Sequence, residues 1–485
     1  RGGELGATRA GVTGEAPSDV LWHYNLSARH LDKLCERVDT FSVSGDGERL
    51  VVRHRDDTIV VPSSHKVDDD DPAYIRVDLT RLRRTVNPRA EWRQMFDENG
   101  RLMASHYWRE DMNGVDWDSV LNRYRPLVDL CHVVDDLHDI LWETVAELNT
   151  SHSYVSASGA AGDSDMRAGL LGADVSSGND GAKVVRVIPG ESSDPRAWSP
   201  LRAAGVAVTE GDVIVAVDGR KVGADGNLGE LLEGSAGRVV ELTVRRGENE
   251  RQVAVVPMAD EAPLRYHDWV ASRRRYVEEH SGGRLGYLHV PDMVSDGWAE
   301  LHRQIGEATR HEGVIADVRF NHGGHTSQLV VERLARRVVG WDYSRWYATA
   351  DTYPQNAVRG PIVMVTNQWA GSDGDIVAAA TQAMGYAKVI GERSWGGVVG
   401  IDGRFDLVDG TSVTQPRYAG WYGSYGWGVE NHGVDPDIVV TVSPEDWEAD
   451  CDVQLDAAIA ECLRQLDDKP AATAPELPGP AFDRC

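Results

Sequence analysis

The spacing of apolar residues changes period repeatedly along this chain. Between residues 39 and 62, the segment DTFSVSGDGERLVVRHRDDTIVVP alternates in twos and breaks at Gly45-Asp46-Gly47. Alternation around an Asp-Gly turn predicts antiparallel hairpins, with a second strand through Leu50 to Val52 and a third through Ile59 to Val61. From Arg89 to Leu148 the period is helical. Trp92, Met95 and Phe96, then Val120, Tyr124 and Val128, then Ile140, Leu141, Val145 and Leu148 recur at i, i+3/i+4. This predicts a small helical domain ending near Ser151. Residues 165–258 return to short strands with Gly-rich turns. Residues 259–465 alternate the strands LGYLHV, GVIADVRF, IVMVTN and AKVIGE with helices predicted at 297–309, 326–338 and 373–384. That is the βαβ rhythm of an α/β domain, in which chemistry collects at the carboxyl ends of the strands. After about Asp468 the chain is rich in Pro and Ala, and a disordered tail is expected.

Composition narrows the function classes. The 485 residues contain 41% hydrophobic and 26% charged side chains and carry a formal net charge of −27. Such an acidic chain is a poor ligand for nucleic acid or an anionic membrane. No apolar run approaches the roughly 18 residues of a membrane span. The five cysteines, Cys35, Cys131, Cys451, Cys462 and Cys485, include no CxxC pair. Their scatter argues against a disulfide framework or a zinc site and for a reducing, cytoplasmic setting. The N-terminus has no apolar signal-peptide core and no initiator Met. Residues 1 to about 20 read as a tail, a cut site or the flank of a longer chain.

Four segments are candidates for chemistry. In PIVMVTNQWAGSDGDIVAAA, a buried strand ends near Thr366 and Ser372-Asp373 opens an Ala-rich helix. A serine there stands beside free backbone N–H groups able to stabilise an oxyanion. On local grounds it reads first as an N-cap, with Asp373 and Asp375 complementing the helix dipole. In DVRFNHGGHTS (317–327), Gly323-Gly324 lets the backbone approach another group closely, though a plain βα turn needs the same residues. In ELNTSHSYV (147–155), Ser151-His152 offers a base that works near neutral pH, among 16 histidines in all. In WGVENHGVDPDIVV (427–440), Glu430 lies in a Gly-rich loop, where a carboxylate is ordinarily just solvated.

The segment SPLRAAGVAVTEGDVIVAVDGRKV, with GLLGADV before it and VVELTVRR after it, resembles a PDZ domain. Such domains capture chain ends by β-augmentation, and the alternative is a plain spacer. A PDZ-like module followed by Asp317, Arg319, Asn321, Gly323 and Gly324, then Gly371-Ser372, then Gly433, Val434, Pro436, Asp437 and Ile438, resembles the C-terminal processing peptidases. Most of that family is similar in pairing its Ser with a Lys about 25 residues later. Here Gly396 and Gly397 stand in that region, and the nearest basic residues are Lys388 and Arg393. The tricorn branch removes the discrepancy. Its domain order resembles the one read here, and its motifs are similar to SHSY, AGSDGD and GVENHGVDPD.

That resemblance, over roughly residues 40–465, implies a multidomain α+β architecture. Residues 1–84 would hold a tail and a partial β-propeller blade, 85–164 a helical domain and 165–260 a PDZ-like domain. Residues 261–467 would form an α/β catalytic domain of the ClpP/crotonase kind, and 468–485 the tail. The resemblance implies a Ser-His-Ser-Glu tetrad. Ser372 is the nucleophile, His152 its base, Ser151 the group orienting the base and Glu430 the anchor of Ser151. It places the oxyanion hole at the N–H groups of Asp373 and Gly324, or Gly323 in a shifted register. It also suggests Asp342, in GWDYSRW, as an acidic residue binding basic substrate side chains. The expected activity is trimming of short peptides downstream of a larger protease, without metal or organic cofactor, by a homo-oligomer that is a hexamer by resemblance. Two rival readings are a non-catalytic peptide-binding scaffold built on the PDZ-like module and an envelope tail-specific protease. The second needs a signal peptide and a catalytic Lys.

Overall fold

The computed structural model describes residues 19–54, 57–158, 166–223, 227–346, 348–402 and 405–477. The chain divides into two compact units, residues 1–91 and 92–485. In the first, β1 (Leu21–Asn25) and β2 (His30–Cys35) form a hairpin. Then β3 (Thr40–Val43), β4 (Arg49–His54), β5 (Asp57–Pro62) and β6 (Ile75–Val77) form a four-stranded antiparallel meander. The alternation read from the sequence sets which face is inside. Leu50, Val52 and Val61 point into a core shared with Leu21, Leu34 and Val38.

In the second unit, α1 (Pro88–His106), α2 (Trp117–Val128) and α3 (Val134–Ala146) bury the stripes that the 3.6 period marks. Asp116 caps α2 by accepting from Ser119 N. The chain then turns through Ser151 and His152 into a two-residue strand, β7 (Val155–Ser156).

The PDZ-like segment is a sheet in the order β13-β12-β10-β9-β8, with β11 paired to β10. Its strands are β8 (Ala173–Gly178), β9 (Gly181–Val187), β10 (Val213–Val217), β11 (Arg220–Lys221), β12 (Val240–Arg246) and β13 (Asn249–Val255). The short helix α4 (Leu228–Leu231) packs on the sheet through Leu228 and Leu231. In the Gly169–Gly172 turn, Gly169 N donates to Leu232 O and Leu170 N to Met258 O. Gly172 N donates to the Glu261 carboxylate (3.1 Å). A carboxylate of the same chain therefore already occupies an amide of this turn.

The last region begins with α5 (Ala262–His280), β14 (Leu285–His289), α6 (Ser295–Ala308), β15 (Gly313–Asp317) and α7 (Ser327–Leu334). A small ribbon of β16 (Gly340–Asp342) and β17 (Asp351–Tyr353) comes next. It is followed by β18 (Ile362–Thr366), α8 (Asp373–Met384) and β19 (Ala387–Gly391). Beyond these lie β20 (Gly400–Asp402), β21 (Ser412–Val413), β22 (Gln415–Tyr418), β23 (Ile438–Val439), α9 (Pro444–Glu448) and α10 (Val453–Asp468). The sheet runs β14-β15-β18-β19-β23, all parallel. Strands β14, β15 and β18 are wholly buried, as expected of a parallel sheet covered on both faces. Residues of α6, α7 and α8 share one core cluster, and residues of α5 and α10 share another with Ile315, Val363 and Val365.

Two expectations change. Helix α7 stops at Leu334 rather than continuing to 338, because Arg337 leaves the helical path to bridge Val358. The chain after Asp468 is not free through residue 477. Ala472 N donates to Arg359 O (2.9 Å), and the Tyr343 hydroxyl donates to Pro475 O. Hydrogen bonds to its backbone, with Ala471 packed against the α5–α10 core, hold this segment, so composition gave no sign of it. The remainder of the expected tail, 478–485, lies outside the described residues, as do residues 1–18.

One junction matters for the site. Strand β7 pairs antiparallel with β21, placing Val155 opposite Val413. The Tyr154 N–H donates to Thr414 Oγ1 (2.7 Å), and His138 Nε2 lies 3.1 Å from Thr411 Oγ1. Val155, Leu407 and Val413 also join the core of the helical domain. The turn carrying Ser151-His152 is thereby anchored to the α/β region.

Candidate active site

The Ser372 side of the candidate site is built from backbone. Ser372 follows the buried strand β18 and sits at φ 59°, ψ −120°, a conformation costly for a non-Gly residue. Its side chain makes no capping hydrogen bond. The reading of Ser372 as a side-chain N-cap is therefore corrected. Gly374 N and Asp375 N are already satisfied by the carbonyls of Gly371 (2.8 Å) and Ser372 (2.9 Å). The two acidic residues of the first turn also look elsewhere. Asp373 receives Ser327 N (2.9 Å) and Ser327 Oγ (2.6 Å), tying α8 to α7.

The Gly-Gly turn lies against this serine. A Cβ on Gly323 would stand 2.5 Å from Ser372 Cβ, and one on Gly324 would stand 2.1 Å from Met293 O. Only glycine fits either position. Asn321 sets the turn: its Oδ1 accepts from Gly323 N (2.9 Å), and its backbone O accepts from Gly371 N (3.0 Å). The Gly323 N–H is thereby occupied. Among the described residues, the N–H groups of Gly324 and Asp373 donate to no acceptor within the chain.

The His152 side is built from side chains. Glu430 accepts Ser151 N (2.6 Å), Ser151 Oγ (3.0 Å), Val398 N (2.8 Å) and Val399 N (3.0 Å). Ser151 Oγ is also 2.9 Å from His152 Nδ1. A hydroxyl has one proton, and here it goes to the carboxylate. Nδ1 must then be the protonated nitrogen, donating to Ser151 Oγ and leaving Nε2 with a free lone pair. Burial holds the His152 pKa below its usual 6.5, with the Glu430 charge pulling the other way. The ring packs edge-on against Tyr154 and Trp395, at centroid distances of 5.8 and 5.6 Å.

Trp395 connects the two sides. Its N–H donates to Ala370 O (2.9 Å), and its ring would stand 2.7 Å from a Cβ on Gly371, beside Ser372. Ser372 and His152 thus flank one indole, and among the described residues no hydrogen bond joins them. Catalytic hydrogen bonds commonly close only on a bound substrate. Asp342 is not drawn in. It is exposed at the end of the β16–β17 ribbon, opposite Asp351, and no described hydrogen bond or ion pair links it to the other candidates. Lys388 and Arg393 are engaged in ion pairs with Asp437 (3.2 Å) and Asp435 (2.7 Å).

Sequence reasoning missed Trp395, Asn321 as the organiser of the turn, and the Val398–Val399 amides. The one available signal was Gly396-Gly397, read above only as a missing lysine. Among the described residues, no cluster of three or more His, Cys, Asp or Glu is placed to hold a metal. No helix among them is long and apolar enough to cross a membrane.

Family models agree with this layout. Residues 88–146 match the tricorn protease C1 domain, 169–260 the tricorn protease PDZ domain and 284–440 peptidase family S41. The chain is 56% identical over 481 residues to tricorn protease homolog 1 of Streptomyces coelicolor, covering 98% of this chain and 45% of that protein. It is 35% identical to the tricorn protease of Thermoplasma acidophilum, covering 93% of this chain and 42% of that protein. The crystal structure of the tricorn protease superposes with a TM-score of 0.87 at 33% identity, over 93% of this chain and 44% of that one. The chain spans less than half the length of these relatives. On domain order, sequence and fold together, it belongs to the tricorn protease family within peptidase family S41.

Proposed function

We propose that this chain hydrolyses peptides through an acyl-enzyme, with Ser372 as nucleophile and His152 as base. The observation that carries the reading is the relay Glu430–Ser151–His152, which leaves Nε2 free to take a proton. His152 Nε2 removes the Ser372 proton as Oγ attacks the peptide carbonyl. The new oxyanion is received by the N–H groups of Asp373 and Gly324, both unused by the chain itself. Collapse of the tetrahedral adduct passes the proton from His152 to the departing amine. A water molecule then repeats the sequence on the ester. The Glu430 carboxylate stabilises the imidazolium through the Ser151 hydroxyl.

The occupied Gly172 amide works against the scaffold reading, since an incoming carboxylate would have to displace Glu261. The paired Lys388 and Arg393 work against a Ser-Lys mechanism. Trimming of short peptides, a homo-oligomeric assembly, a cytoplasmic setting and Asp342 as a contact for basic side chains extend the same reading. The meander of residues 40–77 fits one blade of a propeller. The test is fluorophosphonate labelling with peptide mapping. Modification at Ser372 is expected, and an unlabelled Ser372 alongside intact peptide hydrolysis overturns the assignment.

A further inference from the structure

Asp375 takes part in none of these steps, yet it is fully buried in the first turn of α8. Among the described residues it has no ion-pair partner. Its carboxylate is instead filled by one loop: Ser394 Oγ and Gly396 N (2.8 Å) on Oδ1, and Gly397 N (3.3 Å) on Oδ2. The same loop carries Trp395, the wall between His152 and Gly371, and runs into Val398 and Val399, whose amides hold Glu430. Its far side is fixed by Ser394, which exchanges hydrogen bonds with Val434 (3.2 and 2.9 Å).

We propose that Asp375 is a positioning residue that sets the placement of His152 relative to Ser372, by clamping the 394–399 loop to the nucleophile's own helix. The inference rests on the catalytic reading of Ser372 and His152. Base and nucleophile ride on separate elements, and this carboxylate is a direct tie from α8 to the loop touching both partners of the relay. A neutral side chain of the same shape cannot replace it, because three donors converge on two oxygens. Burial pushes the Asp375 pKa up to about 6, against the opposing pull of Ser394, Gly396, Gly397 and the Ser372 backbone. The titratable groups around it are Asp373 on its own helix and Tyr422 from the loop after β22. Arg393, which leads into the clamped loop, is engaged by Asp435. Protonation of Asp375 therefore loosens the clamp as pH falls through about 6.

The test compares Asp375→Asn with the unaltered chain in peptide hydrolysis, Ser372 labelling and pH profile. Misplacement of a base by a fraction of an ångström to 1 Å costs ~10–100-fold in rate. The expected result is a fall of that size in kcat with KM changed less than about twofold, and an equal fall in labelling rate. The acid limb of kcat/KM should steepen to two protons in the unaltered chain and remain a one-proton limb in the variant. Wild-type kcat and labelling in Asp375→Asn overturn the proposal, as does an unchanged two-proton limb. Should that variant fail to fold, Ser394→Ala removes one donor and keeps the carboxylate. A smaller fall in kcat supports the clamp, and an unchanged kcat overturns it. Absence of Ser372 labelling in the unaltered chain would instead sink the catalytic reading itself.

Discussion

The two halves of the site are held by different physics. On the His152 side, the Glu430 carboxylate gathers five donors and fixes Ser151 and His152 by side-chain hydrogen bonds. On the Ser372 side, the serine side chain makes no capping hydrogen bond, and a strained backbone with two glycines places it. A hydrogen-bonded relay tolerates small backbone changes but not the loss of a charge. A glycine-built turn fails instead on a single added carbon. Substitutions on the two sides should therefore fail in different ways.

The largest effect is expected from Ser372→Ala, a loss of at least ~10⁴-fold in kcat with the melting temperature retained. Adding His152→Ala to that variant should cost little more, since the two act as one unit; an additive further loss in turnover would break the pairing. Next comes Glu430→Gln, expected to lower kcat by ~10²–10⁴-fold by placing an N–H₂ against donors and releasing the His152 tautomer. Gly324→Ala should cost ~10²–10³-fold through displacement of an oxyanion donor. Unlike Glu430→Gln, it should also lower the melting temperature, because its Cβ meets Met293 O. If both variants shift kcat and stability in the same proportion, the contrast between the two sides is lost. A milder change is pH. His152 must be neutral to act, and burial lowers its pKa, so kcat/KM should rise with pH through a midpoint below 6.5. A midpoint above 6.5 would show the Glu430 charge outweighing burial. The smallest effect is expected for Asp342→Ala, a severalfold preferential loss of cleavage after Lys or Arg relative to Leu; equal losses would remove Asp342 from substrate binding.

What the sequence revealed follows the same division. Periodicity located the strands of the α/β core and α8, because buried parallel strands leave uninterrupted apolar runs. It did not set the end of α7, which depends on where Arg337 finds a bridge, nor the tie of Ala472 to Arg359. Ser372, the Gly-Gly turn, Ser151-His152 and Glu430 were each readable as motifs, but none was distinguishable locally from a cap, a turn or a solvated loop. Their meeting depends on contacts across 279 residues, and no local pattern encodes such contacts. Asp375 was readable only as a charge complementing the helix dipole, and Trp395 only through the neighbouring Gly396-Gly397, since an aromatic wall and a buried helix carboxylate have no characteristic spacing.

The pairing of β7 with β21 has a consequence for how the protein comes into being. Contacts between distant segments form late, because loop closure must be achieved before they contribute stability. The Ser151-His152 turn reaches its place only when β7 pairs with β21, Val155 meeting Val413, and Ser151 meets Glu430 across 279 residues. Until those segments meet, the Ser151-His152 turn lacks the Glu430 carboxylate that holds it. On the proposed mechanism, hydrolytic power then arises only once these distant segments have met, which makes the architecture a safety interlock for the growing chain.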